Sequence, residues 1–164
     1  MPEPGQIVIN TGPLIALVAA LGDLKVLESL YRQVLVPYEV CQEILAGGRT
    51  GFAVPQFEKA FWLKKYSSPI QITPFLVNSV GVGEAGVIQL AMNENIKTVC
   101  IDEMVGRRLA RLNGLSVTGS IGILLRAQEK GQPISIRNAI QRMRDNGIWL
   151  SEKVIEFALK KAKA

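Results

Sequence analysis

The chain has no histidine and only two cysteines among its 164 residues. Without histidine, the Ser/His/Asp and Cys/His forms of nucleophilic catalysis are excluded, and general acid–base work falls to carboxylates, lysine or water. Cys41 and Cys100 share no redox or metal-ligand spacing, and no histidine exists to complete a zinc site. Both sit among apolar neighbours, so buried, reduced thiols are expected. Long apolar runs are also missing. The stretch Leu14 to Leu21 is far too short to span a bilayer, and the N-terminus carries no basic segment of the secretory kind. A cytoplasmic chain without membrane contact is expected. No repeat, low-complexity tract or interdomain linker interrupts it, which predicts one domain over 1–164.

What is present suits a globular protein. Hydrophobic residues make up 48% of the chain, and at this length roughly 70% of the unfolded surface is buried on folding. The balance of 19 basic against 14 acidic residues gives a formal charge of +5. Such a charge suits a polyanionic partner, whose counterions Lys and Arg displace, and equally a plain basic soluble protein.

Short apolar runs alternate with helical patterns. Ile7-Val8-Ile9 predicts a buried strand, broken by Asn10-Thr11-Gly12-Pro13. A helix through Leu14, Leu17, Val18 and Leu21 follows and stops at Gly22-Asp23. The next has Leu24, Leu27, Leu30 and Tyr31 on one face. Val34-Leu35-Val36 is a second strand, after which Pro37 opens a helix through Glu43 to Leu45. Gly47 to Gly51 reads as a loop. Between 52 and 80 the pattern is poor. Phe57, Phe61 and Trp62 suggest a short helix, Trp62 to Tyr66 an edge strand, and Pro69 and Pro74 argue against any long element. Helices are expected from Gly81-Val82-Gly83-Glu84 and over 103–112, 120–130, 136–146 and 151–161, with strands at 98–101 and 115–117. Strands alternating with helices predict a mostly parallel sheet covered on both faces, with two helices at the C-terminus.

In such sheets ligands bind outside the carboxyl ends of the strands. The predicted strands end there in Asn10-Thr11, Asp102-Glu103 and Thr118, and two helices near that edge carry Glu43 and Glu84. Crowded carboxylates repel unless a cation shares them, and Mg²⁺ and Mn²⁺ favour oxygen donors. A metal so held activates water and stabilises charge on a phosphate, with no need for histidine. Each residue also has a structural reading: Glu43 as a solvated helix carboxylate, Glu84 at a helix N-terminus, Asp102 as the cap of the helix after it. Arg107, Arg108 and Arg111 share a helix face one turn beyond Asp102, with Arg126 and Lys130 on the next helix. They suit phosphate contacts or a solvated face. Lys160, Lys161 and Lys163 suit a helix C-terminus. Neither Gly81-Val82-Gly83 nor Gly119-Ser120-Ile121-Gly122 completes a phosphate-binding fingerprint, and both read as turns.

Several segments resemble the motifs of PIN domains. Ile7-Val8-Ile9-Asn10-Thr11-Gly12-Pro13-Leu14-Ile15-Ala16-Leu17 is similar to their opening strand and turn, and Val36-Pro37-Tyr38-Glu39-Val40-Cys41-Gln42-Glu43-Ile44-Leu45 to their second motif. Gly83-Glu84-Ala85, Ile101-Asp102-Glu103, Arg107-Arg108-Leu109-Ala110 and the stretch Val117 to Leu125 follow in the family's order over nearly the whole chain. The resemblance implies a Rossmann-like three-layer α/β/α fold, an Mg²⁺ or Mn²⁺ site, and endonucleolytic hydrolysis of RNA. Further expectations are a toxin paired with an antitoxin protein, and a homodimer. Matched by position, the acidic site falls on Asn10, Glu43, Glu84 and Asp102, with metal ligands among Glu43, Glu84, Asp102 and Glu103. Thr11 and Thr118 would position water or substrate, and Arg107, Arg108 and Arg111 would contact RNA phosphates. Two positions depart from the family: Asn10 stands where Asp is usual, and Gly86 where a further acid is frequent. A neutral amide oxygen at Asn10 lowers the site's charge by one. Those departures motivate a second expectation, a weak or inactive PIN-like module that binds RNA or protein. A nucleotide-binding Rossmann domain is a third, opposed by the absence of a glycine fingerprint after the first strand.

Overall fold

The computed structural model describes residues 5–47 and 51–162. The expectations that fall on Met1 to Pro4, on Gly48 to Thr50 of the loop and on Lys163 lie outside these residues. A five-stranded, wholly parallel sheet runs β3 (Lys64–Lys65), β2 (Gln33–Val36), β1 (Gln6–Ile9), β4 (Thr98–Cys100), β5 (Ser116–Thr118). Ile7 pairs with Val34, Val8 with both Leu35 and Val99, and Cys100 with Thr118. Ile7, Val8 and Ile9 are wholly buried. A central parallel strand has both faces covered, which is why its sequence is a continuous apolar run and does not alternate.

Two layers of helices cover the sheet. In one, α1 (Thr11–Leu21) packs on α8 (Ser120–Glu129) and α9 (Ile136–Asp145), while α2 (Lys25–Leu30) lies against α8 and β2. In the other, α6 (Val82–Asn93) rests on β1 and β4 and gathers α3 (Tyr38–Leu45), α5 (Pro74–Ser79) and α7 (Met104–Leu112). The architecture is a three-layer α/β/α fold. Gly22 ends α1 at φ +85°, where its N–H donates to Val18 O at 2.8 Å, a left-handed cap that favours glycine. The C-terminal helices differ from one another. Helix α9 buries Ile136, Ala139, Ile140 and Met143, whereas α10 (Glu152–Lys161), with Lys160 and Lys161 in its last turn, buries only Ala158.

The segment 52–80 departs from expectation. Helix α4 (Val54–Lys59) includes Phe57 but ends before Phe61, which is 88% exposed. Helix α5 was not foreseen, because Pro74 read as a breaker. It occupies the first turn of α5, where a missing N–H costs nothing. The expected edge strand exists but is short. Its Lys64 and Lys65 put charge on an unpaired edge, a usual guard against edge-to-edge association.

Strand order sets the position of the site. From β1 the chain steps outward to β2 and β3, then returns to place β4 on the other side of β1. The carboxyl ends of β1 and β4 therefore flank the topological switch point, where a crevice opens in this class of sheet.

Candidate active site

A cleft of about 1350 Å³ opens at that switch point. Its walls include Asn10, Thr11, Glu43, Glu84, Asp102, Glu103, Arg107, Arg108, Arg111 and Thr118, so every site residue expected from the sequence reaches one cavity. Asn10 follows β1 directly and its N–H donates to Cys100 O at 3.0 Å, which locks the ends of β1 and β4 together. Its side chain is 94% buried by difference from a 6% exposure, and Oδ1 has no hydrogen-bond partner among the described residues. A buried acceptor without a donor is costly, so this oxygen is free for a ligand.

The acidic groups are seated against glycines. A Cβ on Gly83 would overlap Glu43 Oε1 and lie 3.2 Å from Asn10 Oδ1, so the missing side chain is the space these two groups share. Thr11 Oγ1 donates to Glu43 Oε2 at 3.0 Å. Burial raises the Glu43 carboxyl above its ordinary pKa; the Thr11 hydrogen bond opposes this, and the negative charge of Glu84 adds to it. Gly106 does the same for α7: a Cβ there would sit 3.1 Å from Glu84 Cγ and 3.5 Å from Glu103 Oε2.

Asp102 and Glu103 divide two capping tasks. Glu103, not Asp102, caps α7, accepting from Val105 N at 3.0 Å and Gly106 N at 2.7 Å. Asp102 reaches across to the start of α8, where Oδ1 accepts from Ser120 N at 2.8 Å and Oδ2 from Ser120 Oγ at 2.9 Å. A carboxylate oxygen has two lone pairs, so both acids keep acceptor capacity toward the cleft. Arg107 Nη1 donates to Ile101 O at 2.7 Å and tethers α7 to the end of β4, while Arg108 and Arg111 project exposed into the cleft. Thr118 Oγ1 lies beside Gly122, 2.5 Å from where a Cβ would be.

Other expected groups fall elsewhere. Arg126 lies 5.2 Å from the Tyr31 ring centroid as a cation–π contact, and Lys130 caps α8, so the basic surface does not extend through them into the cleft. Gly86 is buried where α6 meets α3; a Cβ there would approach Glu39 Oε1 to 2.9 Å, so a side chain at this position would have to displace the Glu39 carboxylate. Both cysteines are buried and unpaired, and burial, with the Asp102 charge next, pushes the Cys100 thiol well above its ordinary pKa. No helix among the described residues is long and apolar enough to cross a membrane.

Sequence reasoning did not single out Ser120, the seating glycines, or the apolar wall of Ile148, Trp149, Leu150, Val154 and Phe157. Ser120 and Gly83 stood in segments that read as turns, and Gly106 lay inside an expected helix. Trp149 is one of two tryptophans and stands in the short apolar run Ile148-Trp149-Leu150 between two helices, which was its only signal.

A parallel α/β fold with an oxygen-rich acidic cleft at its switch point matches a nuclease-type fold. The family model described as a PIN domain matches residues 6–164, and the chain belongs to that family. No curated protein matches the chain.

Proposed function

We propose that the protein is a metal-dependent endoribonuclease. The observation that carries this reading is the Asn10–Glu43–Glu84 grouping. An unpartnered, buried amide oxygen faces a carboxylate held in a glycine-lined seat, and that carboxylate feels the charge of a second. Among the described residues no three His, Cys, Asp or Glu side chains converge as a preformed cation site. The donor chemistry nonetheless fits a hard divalent ion, because all donors are oxygens and Asn10 supplies the one that an acid count omits.

Asn10, Glu43, Glu84 and Asp102 would hold Mg²⁺ or Mn²⁺, with Glu103 at the rim. When bound, such an ion lowers the pKa of water and offsets charge on a phosphate. The chain's own residues do the rest. Thr11 fixes the Glu43 carboxylate through its hydroxyl, Ser120 fixes Asp102, and Thr118 offers a hydroxyl for water or substrate. Arg108 and Arg111 offer guanidinium groups to a phosphate, and Arg107 does so while tethered to Ile101 O.

The test is calorimetric titration with Mn²⁺ beside Asp102→Asn, followed by cleavage of RNA. Metal binding and cleavage are expected in the native protein and lost in the variant; full cleavage by Asp102→Asn removes this site from consideration. The neutral ligand at Asn10 favours one second reading, a PIN-like module that binds RNA or protein without cutting. Asn10→Asp separates the two. Cleavage present only in that variant assigns the natural chain to the binding class. The setting that the family implies, a toxin held by an antitoxin, is tested by growth arrest on expression that Asp102→Asn relieves.

A further inference from the structure

The cleft has a second wall that metal chemistry does not use. The turn after α9 and the outer face of α10 bring Ile148, Trp149, Leu150, Val154 and Phe157 to the cavity that holds the acids. Trp149 is 83% exposed and Phe157 53% exposed, although large aromatics ordinarily bury most of their surface. Helix α10 buries only Ala158, so these rings are not committed to the core. Arg107, Arg108 and Arg111 from α7 line the same cavity.

Rings with free faces beside guanidinium groups are what an unpaired polynucleotide needs. Arginines take the phosphates, and aromatic faces take bases in stacking contact, tolerant of sequence because every base has a π-face. A duplex cannot use such rings, since its bases are already stacked on one another. The volume agrees. At about 1350 Å³ the cleft exceeds the roughly 300–1,000 Å³ of ordinary small-molecule sites, as a site for several linked nucleotides would.

We propose that Trp149 and Phe157 form a base-stacking platform that selects single-stranded RNA and directs its backbone past Arg107, Arg108 and Arg111 toward the acidic edge. This rests on reading the cleft as a ribonuclease site, but it adds a specificity surface on a different element. An apolar protein segment is the competing occupant. The arginine wall argues for the polyanion, because a protein ligand would have to desolvate or pair three guanidinium groups.

The test is anisotropy of a fluorescein-labelled, unstructured 12-mer RNA, and of its duplex, in EDTA so that nothing is cut. Trp149→Ala and Phe157→Ala are each expected to weaken single-strand binding by on the order of 5- to 150-fold, to leave weak duplex binding unchanged, and to keep the salt dependence of the native protein. Trp149→Phe restores most of the affinity, and Arg111→Ala flattens the salt dependence instead. In a Trp62→Phe background, RNA quenches the fluorescence of Trp149. Exposure of both rings means that folding does not depend on them, and circular dichroism confirms this for each variant. Native affinity in both aromatic variants, with binding still lost in Arg111→Ala, overturns the platform and leaves the ribonuclease reading intact. No RNA binding by the native protein overturns both. A native dimer that Trp149→Ala converts to monomer in sedimentation, with RNA affinity unchanged, assigns the wall to protein contact and overturns the platform as well.

Discussion

Gly83→Ala is expected to separate stability from function. In the native fold the missing Cβ of Gly83 is the space occupied by Glu43 Oε1, with Asn10 Oδ1 3.2 Å from the same point. An added methyl displaces the Glu43 carboxylate, which is the free end of a flexible side chain. Rotating it costs roughly 0.5–1.5 kcal/mol, and breaking its hydrogen bond from Thr11 adds about 1 kcal/mol, at the low end because that bond is exposed. Against this, Gly→Ala in a helix contributes about 0.5–1 kcal/mol, reduced in the first turn of α6 where residue 83 stands. The terms leave a net destabilisation of roughly 0.5–2 kcal/mol, so the midpoint of thermal unfolding in EDTA should fall by roughly 1–8 °C. The site does not recover in the same way. Even disturbances behind the ligands of a metal cost roughly 10–100-fold in affinity, and here a donor itself moves. Mn²⁺ affinity by calorimetry and RNA cleavage should each fall by at least about tenfold. Unchanged metal affinity would refute the placement of Glu43 in the site. Destabilisation beyond about 2 kcal/mol would show that backbone, not a movable carboxylate, fills the space beside Gly83.

Glu103→Ala removes the acceptor for Val105 N and Gly106 N and should destabilise the fold by about 1 kcal/mol, measured by urea unfolding; an equal loss in Glu103→Gln would show that charge at the helix terminus, not acceptor geometry, is what matters. If Mn²⁺ affinity survives in both variants, Glu103 is a cap alone. The pH dependence of Glu43 has a definite sign. Its pKa is raised in the folded state, so the native fold is relatively favoured where the carboxyl is protonated and loses that advantage as pH rises from the ordinary glutamate range through the folded value. In EDTA, Glu43→Gln should therefore melt above the native protein at neutral pH, with the gap closing below about pH 4; a gap of constant size across pH would contradict a raised carboxyl. Saturating Mn²⁺ should reverse the order, because only the native protein binds the ion well.

The order of these effects follows from how the site is built. Asp102 and Glu103 are neighbours in sequence yet cap different helices, α8 and α7, so each is held by an N-terminal N–H before any ligand arrives. Glu43 has a single hydroxyl donor, and Asn10 Oδ1 has none among the described residues. The β1 side of the cleft is thus where a bound cation has most to offset, and Asp102 is the rigid post on the other side.

Much of this was legible in the sequence because its cause is local. A run such as Ile7-Val8-Ile9 has one physical solution, a strand buried on both faces, and a strand ending in Asn10 or Asp102 puts polar groups where parallel sheets open. The helix stop at Gly22 and the start at Pro37 are likewise properties of a few adjacent residues. Tertiary structure decided what depends on distance along the chain. Glu103 rather than Asp102 caps α7 because the chain between β4 and α8 brings Ser120 to Asp102, eighteen positions away. Gly83 and Gly106 matter for what faces them, Glu43 and Glu84, and no local pattern carries that. Arg126 reads like Arg111 on a helical wheel, but α8 turns it onto Tyr31 while α7 turns Arg111 into the cleft. Trp149 and Phe157 could be read as two more core aromatics until the packing of α10 left them exposed in the cavity that the arginines also line. Periodicity reports which residues avoid water; which neighbours they meet is fixed only when the elements pack.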